Sequence, residues 1–190
     1  MNRNEIVNYL QNRLSETRFK HCLGVESVCL KLAARFGVDP EHASFAALLH
    51  DLCREYDRDS LLKLAVNFGI VVDDIEKSEP LLLHGAVGAG LARRELEIEE
   101  PAILEAITYH ITGAAGIGPL ARLIFVGDFI EPGRTFEQAR ILRDEADKLA
   151  PEQLLLMVYN RSITYVINRN YLLHPRSLEG RNELIHKGIR

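Results

Sequence analysis

No run in this 190-residue chain approaches the roughly 18 consecutive apolar residues that would cross a bilayer. The first residues, Met1-Asn-Arg-Asn-Glu5, lack the apolar core of a signal peptide. Positive charge is not in surplus: 23 Lys and Arg stand against 27 Asp and Glu, a net charge of −4. That balance excludes the overall basic field that long nucleic acid calls for, although local cations still suit a free nucleotide. Cysteine is scarce. Cys22, Cys29 and Cys53 are three in number, without CxxC spacing, and each falls in an apolar helical pattern. They read as reduced core thiols of a cytoplasmic protein, and not as a disulfide framework or a thiolate metal site. Internal repeats, low-complexity tracts and linkers are missing as well, which leaves one domain over 1–190.

What the chain has is helical periodicity almost throughout. Asn4–Leu14 is amphipathic, and Glu16–Phe36 closes at Gly37. Asp39-Pro40 restarts a helix with a capping Asp and a Pro in the first turn, running to about Arg54. Further helices are expected over 59–68, 81–96, 101–112, 119–130, 136–149 and 151–173, with a short one over 178–186. Only 69–73 and 163–167 have any strand character. The expected fold is an all-α, single-domain helical bundle.

Four of the seven histidines sit on apolar helical faces, where polar groups are rare. His21 shares a face with Val25, Val28 and Leu32, and His50 ends the run Phe45-Ala-Ala-Leu-Leu-His50-Asp51. His84 lies with Val87, Gly88 and Leu91, and His110 with Ile103, Ala106 and Ile107. Asp128 interrupts Leu123-Ile-Phe-Val-Gly-Asp128-Phe-Ile130, where a carboxylate is costly unless paired or bound to metal. Any one of these is an ordinary satisfied core residue, and a His-Asp dipeptide alone is weak evidence. Six such groups on five helices point to imidazoles and carboxylates converging in a bundle, a known way to build a metal site. Their mixed N/O character suits iron or manganese more than calcium or thiophilic ions.

In this order, His21, then His50-Asp51, then Asp128, the residues resemble the HD-domain metal-dependent phosphohydrolases. His50-Asp-Leu-Cys-Arg54, Leu83-His-Gly-Ala-Val-Gly88, Tyr109-His-Ile-Thr-Gly113, Phe125-Val-Gly-Asp-Phe-Ile-Glu-Pro-Gly-Arg134 and His174-Pro175 are similar to the YqeK-type subfamily. Its members are symmetrical bis(5'-nucleosyl)-tetraphosphatases, that is, diadenosine tetraphosphate hydrolases. The resemblance spans about 18–185; Ile111, Gly127 and Phe129 stand where the subfamily more often has Thr, Ala and Tyr.

The resemblance implies a metal held by His21, His50, Asp51 and Asp128, with Asp51 and Asp128 catalytic. Iron is the expected ion, with manganese or cobalt as alternatives, and one or two ions bound. His84 and His110 have two open roles: a second metal site bridged by Asp51, or direct contact with the phosphates. The implied substrate-binding set is His21, Arg54, Asp57, His84, His110, Asp128, Phe129, Arg134, Tyr171, His174 and Arg176. Arg134 follows Pro132-Gly133, which breaks the helix and lets the guanidinium swing back. Gly85, Gly88 and Gly90 are expected to serve close helix packing rather than a phosphate loop, since no strand precedes them. A metal-activated hydroxide would cleave diadenosine tetraphosphate symmetrically to two ADP. The alternatives are an HD-domain nucleotidase or phosphodiesterase, or a non-catalytic nucleotide sensor; a homodimer stays open.

Overall fold

Caps punctuate the chain. In the computed structural model, which describes residues 2–190, helix α1 (Arg3–Gln11) begins at Asn2 and α2 (Glu16–Phe36) at Ser15. Each of those side chains accepts a hydrogen bond from a backbone N–H of the first turn. Helix α2 stops at Gly37, whose φ of +66° is open to glycine without strain. Asp39, Asp57 and Asp73 cap α3 (Pro40–Leu49), α4 (Arg58–Asn67) and α5 (Asp74–Ser78) in the same way. A 3-10 turn, Pro80–Leu83, leads into α6 (His84–Leu96). Proline opens α7 (Pro101–Tyr109), α8 (Pro119–Ile130), α10 (Pro151–Asn168) and α11 (Pro175–His186), and α9 is Glu137–Glu145. No strand occurs among the described residues, so the fold is all-α.

Several boundaries depart from the periodicity. The third helix ends at Leu49 and not at Arg54, and α7 ends at Tyr109 and not at Thr112. Each is closed by a histidine, His50 or His110, whose ring Nδ1 turns back to a carbonyl three residues earlier. The apolar pattern continues past both ends because the following turns are buried too. Residues 81–83 form the 3-10 turn, and α10 ends at Asn168, short of Leu173. Residues 163–167, with their β-branched side chains, lie inside α10, while 69–73 form no ladder. Helix α5 was not anticipated; its five residues are too few to show a period.

Helix α3 is the hub. Ala43 through Leu49 are all buried, which marks a helix enclosed on every side. It packs against α1, α2, α7 and α8, and α7 in turn lies against α6 and α8. The apolar faces of these helices join one continuous core, in which each fully buried Leu or Ile contributes about 1.5–3 kcal/mol. Helices α9 and α10 cover α8 from outside, where Phe125 and Tyr159 meet with ring centroids 4.6 Å apart, and α11 packs on α10. Two of the three expected packing glycines of α6, Gly85 and Gly90, serve close approach, whereas Gly88 has room for a Cβ. A Cβ on Gly85 would stand 2.7 Å from the Ile107 and Thr108 carbonyl oxygens, and one on Gly90 would strike the Phe68 ring. A Cβ on Gly127 of α8 would strike Cys29 Sγ. Among the described residues no helix is long and apolar enough to cross a membrane.

Candidate metal centre

The hub helix ends by pointing His50 and Asp51 into the middle of the bundle. There α2 supplies His21, the start of α6 supplies His84, the end of α7 supplies His110, and α8 supplies Asp128. All six groups meet. His21 Nε2 lies 3.1 Å from Asp128 Oδ1, 3.5 Å from Asp51 Oδ2 and 3.2 Å from His50 Nε2. His50 Nε2 is 3.4 Å from the same Asp51 Oδ2. The other Asp51 oxygen, Oδ1, faces His84 Nε2 at 3.1 Å and His110 Nε2 at 3.5 Å, and these two nitrogens are 3.0 Å apart. One carboxylate thus stands between two pairs of imidazoles.

Tautomers follow from the partners of the other ring nitrogens. His50 Nδ1 lies 2.7 Å from Ala47 O, His84 Nδ1 2.6 Å from Leu81 O, and His110 Nδ1 2.8 Å from Ile107 O. A carbonyl oxygen only accepts, so each Nδ1 carries the hydrogen and each neutral ring presents a bare Nε2 lone pair to the centre. Two lone pairs 3.0 Å apart, those of His84 and His110, repel unless a cation lies between them. Burial also depresses the His84 pKa, outweighing the pull of Asp51, so a proton on that ring is disfavoured. The spacing fits an ion: ligand atoms on bonds of ~2.1 Å lie roughly 3.0–3.4 Å apart around it. The donor set, mixed imidazole and carboxylate without thiolate, fits a divalent transition metal as well.

His21 differs. Its Nδ1 lies 3.1 Å from Glu131 Oε1, a carboxylate buried against Gly24 and Gly133. Burial alone would lower its pKa, but hydrogen bonds to Asp128 and Glu131 outweigh it and raise the ring to about 9. Without metal, a proton on His21 therefore neutralises part of the cluster. Burial likewise pushes Asp128 up and is overcome, because the His21 hydrogen bond and the Arg134 charge hold it low.

Arg134 does swing back after Pro132-Gly133. Its Nη2 donates to Asp128 Oδ1 at 2.6 Å and its Nε to the Asp128 carbonyl at 3.0 Å. The turn that carries it is pinned by Arg143, which donates to the carbonyls of Ile130, Glu131 and Arg134. Arg18 donates to Asp51 Oδ2 at 2.6 Å. Arg18, Arg143 and Glu131 lie outside the expected site residues. Arg18 lies one turn before His21 on the same helix, a spacing that could have flagged it; the reach of Arg143 leaves no sequence signal.

The other expected substrate contacts are scattered. Phe129 lines a cavity of about 670 Å³ together with His110, Asp128 and Arg134. Arg54, Asp57, Tyr171, His174 and Arg176 do not line it. Asp57 is occupied as the cap of α4, accepting from Ser60. Tyr171 is exposed and meets the edge of Tyr165. His174 and Arg176 form a separate cluster with Asp73 and Glu76: His174 Nε2 is 2.9 Å from Asp73 Oδ2, and Arg176 Nη1 donates to Glu76 Oε1 at 2.8 Å. That cluster could gather metal ligands, but its chemistry opposes a cation. His174 Nδ1 accepts from Arg176 N, which puts the hydrogen on Nε2, and the guanidinium already neutralises Glu76.

Comparison with known proteins gives a consistent result. A family model described as "HD domain" matches residues 18–152. The chain is 31% identical to a protein of Bacillus subtilis, covering 97% of this chain and 98% of that one. It is 30% identical to one of Halalkalibacterium halodurans over 97% and 98%. Both bear the name bis(5'-nucleosyl)-tetraphosphatase, symmetrical. A crystal structure of a predicted HD superfamily hydrolase involved in NAD metabolism, from Clostridium acetobutylicum, superposes with a TM-score of 0.91 at 35% identity, covering 97% of each chain.

Proposed function

This chain belongs to the HD domain family, and from that membership we propose a function for its His/Asp centre. It is a metal-dependent hydrolase of phosphoric anhydrides, a symmetrical bis(5'-nucleosyl)-tetraphosphatase, cleaving diadenosine tetraphosphate into two ADP. Support comes from the names of relatives matched over nearly their whole length. The observation that carries the chemistry is the Asp51 carboxylate set between two pairs of imidazole Nε2 atoms.

His21, His50, Asp51 and Asp128 are assigned to one divalent ion. His84 and His110, with Asp51 shared, are assigned to a second, because their Nδ1 hydrogens are committed to carbonyls and their neutral rings have no N–H left for a phosphate. Iron is our choice for the ion, on the N/O donor set. Bound metal supplies Lewis-acid neutralisation of phosphoryl charge and a water of lowered pKa.

The residues of the chain do the rest. Asp128, held ionised by Arg134 and His21, accepts a hydrogen bond from the attacking water and orients it toward a central phosphorus. Its depressed pKa makes it an orienting group, and the proton of the water passes on to bulk solvent as the two ADP form. Arg134 lines the cavity beside Asp128, where it meets phosphoryl oxygens that gain charge as the bridging P–O bond breaks. Glu131 fixes the His21 ring. The three buried, unpaired thiols suit the reducing cytoplasm, where we place the protein.

Product analysis tests the proposal: metal-replete protein is incubated with diadenosine tetraphosphate and the nucleotides are separated by ion exchange. ADP as the sole product is expected. AMP with ATP would keep the hydrolase and overturn the symmetrical cleavage, and no product with iron, manganese or cobalt would overturn the substrate.

A further inference from the structure

We infer that the cavity between α8, α9 and α10 is a nucleoside diphosphate subsite that grips one half of the dinucleotide. Arg161, Tyr165 and Arg169 of α10 and Phe136 at the start of α9 are its recognition residues. The inference rests on the dinucleotide reading above. Cleavage at the midpoint of a symmetrical substrate requires the enzyme to hold a nucleoside diphosphate on each side of the broken bond. The cavity is continuous with the centre, because His110 and Asp128 belong to its wall. Its volume of about 670 Å³ falls within the ~300–1,000 Å³ of small-molecule sites.

The wall has the chemistry of such a ligand. Phe129 and Phe136 meet edge to face with centroids 5.3 Å apart, and Tyr165 stands across from them on α10. Phe136 and Tyr165 are 42% and 55% exposed; the Arg169 guanidinium lies over the Tyr165 ring, 5.6 Å from its centroid, which leaves Phe136 and one face of Tyr165 to a base. Arg134 reaches the cavity from the centre, and Arg161 and Arg169 extend the positive wall along α10. Neither Arg161 nor Arg169 forms an ion pair among the described residues, and the single carboxylate in the wall, Asp128, is already paired with Arg134. Exposed aromatic rings beside guanidinium groups that form no ion pair, leading to a phosphoryl-cleaving centre, match a purine nucleoside and its phosphates. A surface of net acidic protein has no other evident reason to gather such groups.

None of the substrate residues expected from the sequence apart from His110, Asp128, Phe129 and Arg134 lies in this wall. The α10 residues join those four in one wall and extend it away from the centre, to grip one half of the substrate.

The test uses Arg161→Ala, Tyr165→Ala and the double variant in the metal-loaded protein. Both side chains are exposed and make no hydrogen bond, so folding is not at stake; melting curves superimposable on wild type check this. KM for diadenosine tetraphosphate is expected to rise about tenfold in each single variant, with most of the loss in KM and not kcat. Tyr165→Phe, which keeps the ring, restores the wild-type KM. Titration calorimetry with ADP is expected to give two equivalents per chain for wild type and one for the double variant. Unchanged KM with two equivalents retained in the variants would overturn the subsite, as would one equivalent in the wild type. The ADP titration requires no turnover, so it reads the subsite even if the wild type fails to hydrolyse diadenosine tetraphosphate and the proposed activity falls.

Discussion

Glu131 shows how much a residue outside the ligand set contributes. Its carboxylate accepts from His21 Nδ1 at 3.1 Å and from Gly133 N at 2.5 Å, tying the ring to the turn that carries Arg134. Removing such a partner typically costs a metal site 10–100-fold in affinity. Glu131→Ala should weaken metal binding by about that factor in a competitive titration, with activity partly recovered at saturating metal; unchanged affinity would remove Glu131 from the mechanism. His21 gives a pH prediction. Its folded pKa of about 9 lies above the ~6.5 of an unfolded histidine, so in the metal-free protein its stabilisation is fully present below ~6.5 and is lost as pH rises through about 9. A metal must displace that proton. Calorimetry in buffers of differing ionisation enthalpy should therefore find about one proton released per chain at pH 7, and almost none well above pH 9.

At the scale of elements, the centre depends on how closely α6 and α7 approach. Gly85 allows it, because a Cβ there would stand 2.7 Å from two backbone oxygens of α7, which cannot rotate away. Gly85→Ala should cost about 1–3 kcal/mol and lower Tm by about 3–10 °C, with metal affinity falling as His84 and His110 separate. Gly88→Ala is the control. The nearest atom to its Cβ, Ile107 Cγ2, is 3.5 Å away in ordinary contact, so scanning calorimetry should find its Tm near wild type. A Gly85 variant as stable as the Gly88 one would mean that α6 shifts freely, against the packing described.

Over the whole molecule, the six groups draw α2, α3, α6, α7 and α8 to one point, so the metal is also a staple across the bundle. Ligand binding to the native state alone adds about 2.7 kcal/mol at a hundredfold excess over Kd. Chelation should therefore lower Tm by roughly 5–10 °C, and added iron or manganese should restore it. A melting curve indifferent to both would contradict a metal in the centre.

Much of this was legible in the sequence, since helical period and capping are local properties. The apolar faces around His21, His84 and His110, and the carboxylate interrupting the α8 run, marked both the all-α class and the six central groups. Boundaries were less legible where burial continues past a helix end. At Leu49 and Tyr109 the apolar pattern runs on, and only the turn of His50 and His110 back onto their own helices ends the element. What the sequence could not decide was distance between elements. That one Asp51 oxygen faces His21 and His50 and the other His84 and His110 depends on how α3 lies among α2, α6 and α7. So too with α10: Arg161 and Tyr165 look like an ordinary solvated face, and become a cavity wall only because α10 packs on α8 beside the centre. Period and capping are written along the chain, but the meeting of side chains a hundred residues apart is set by the packing of whole helices.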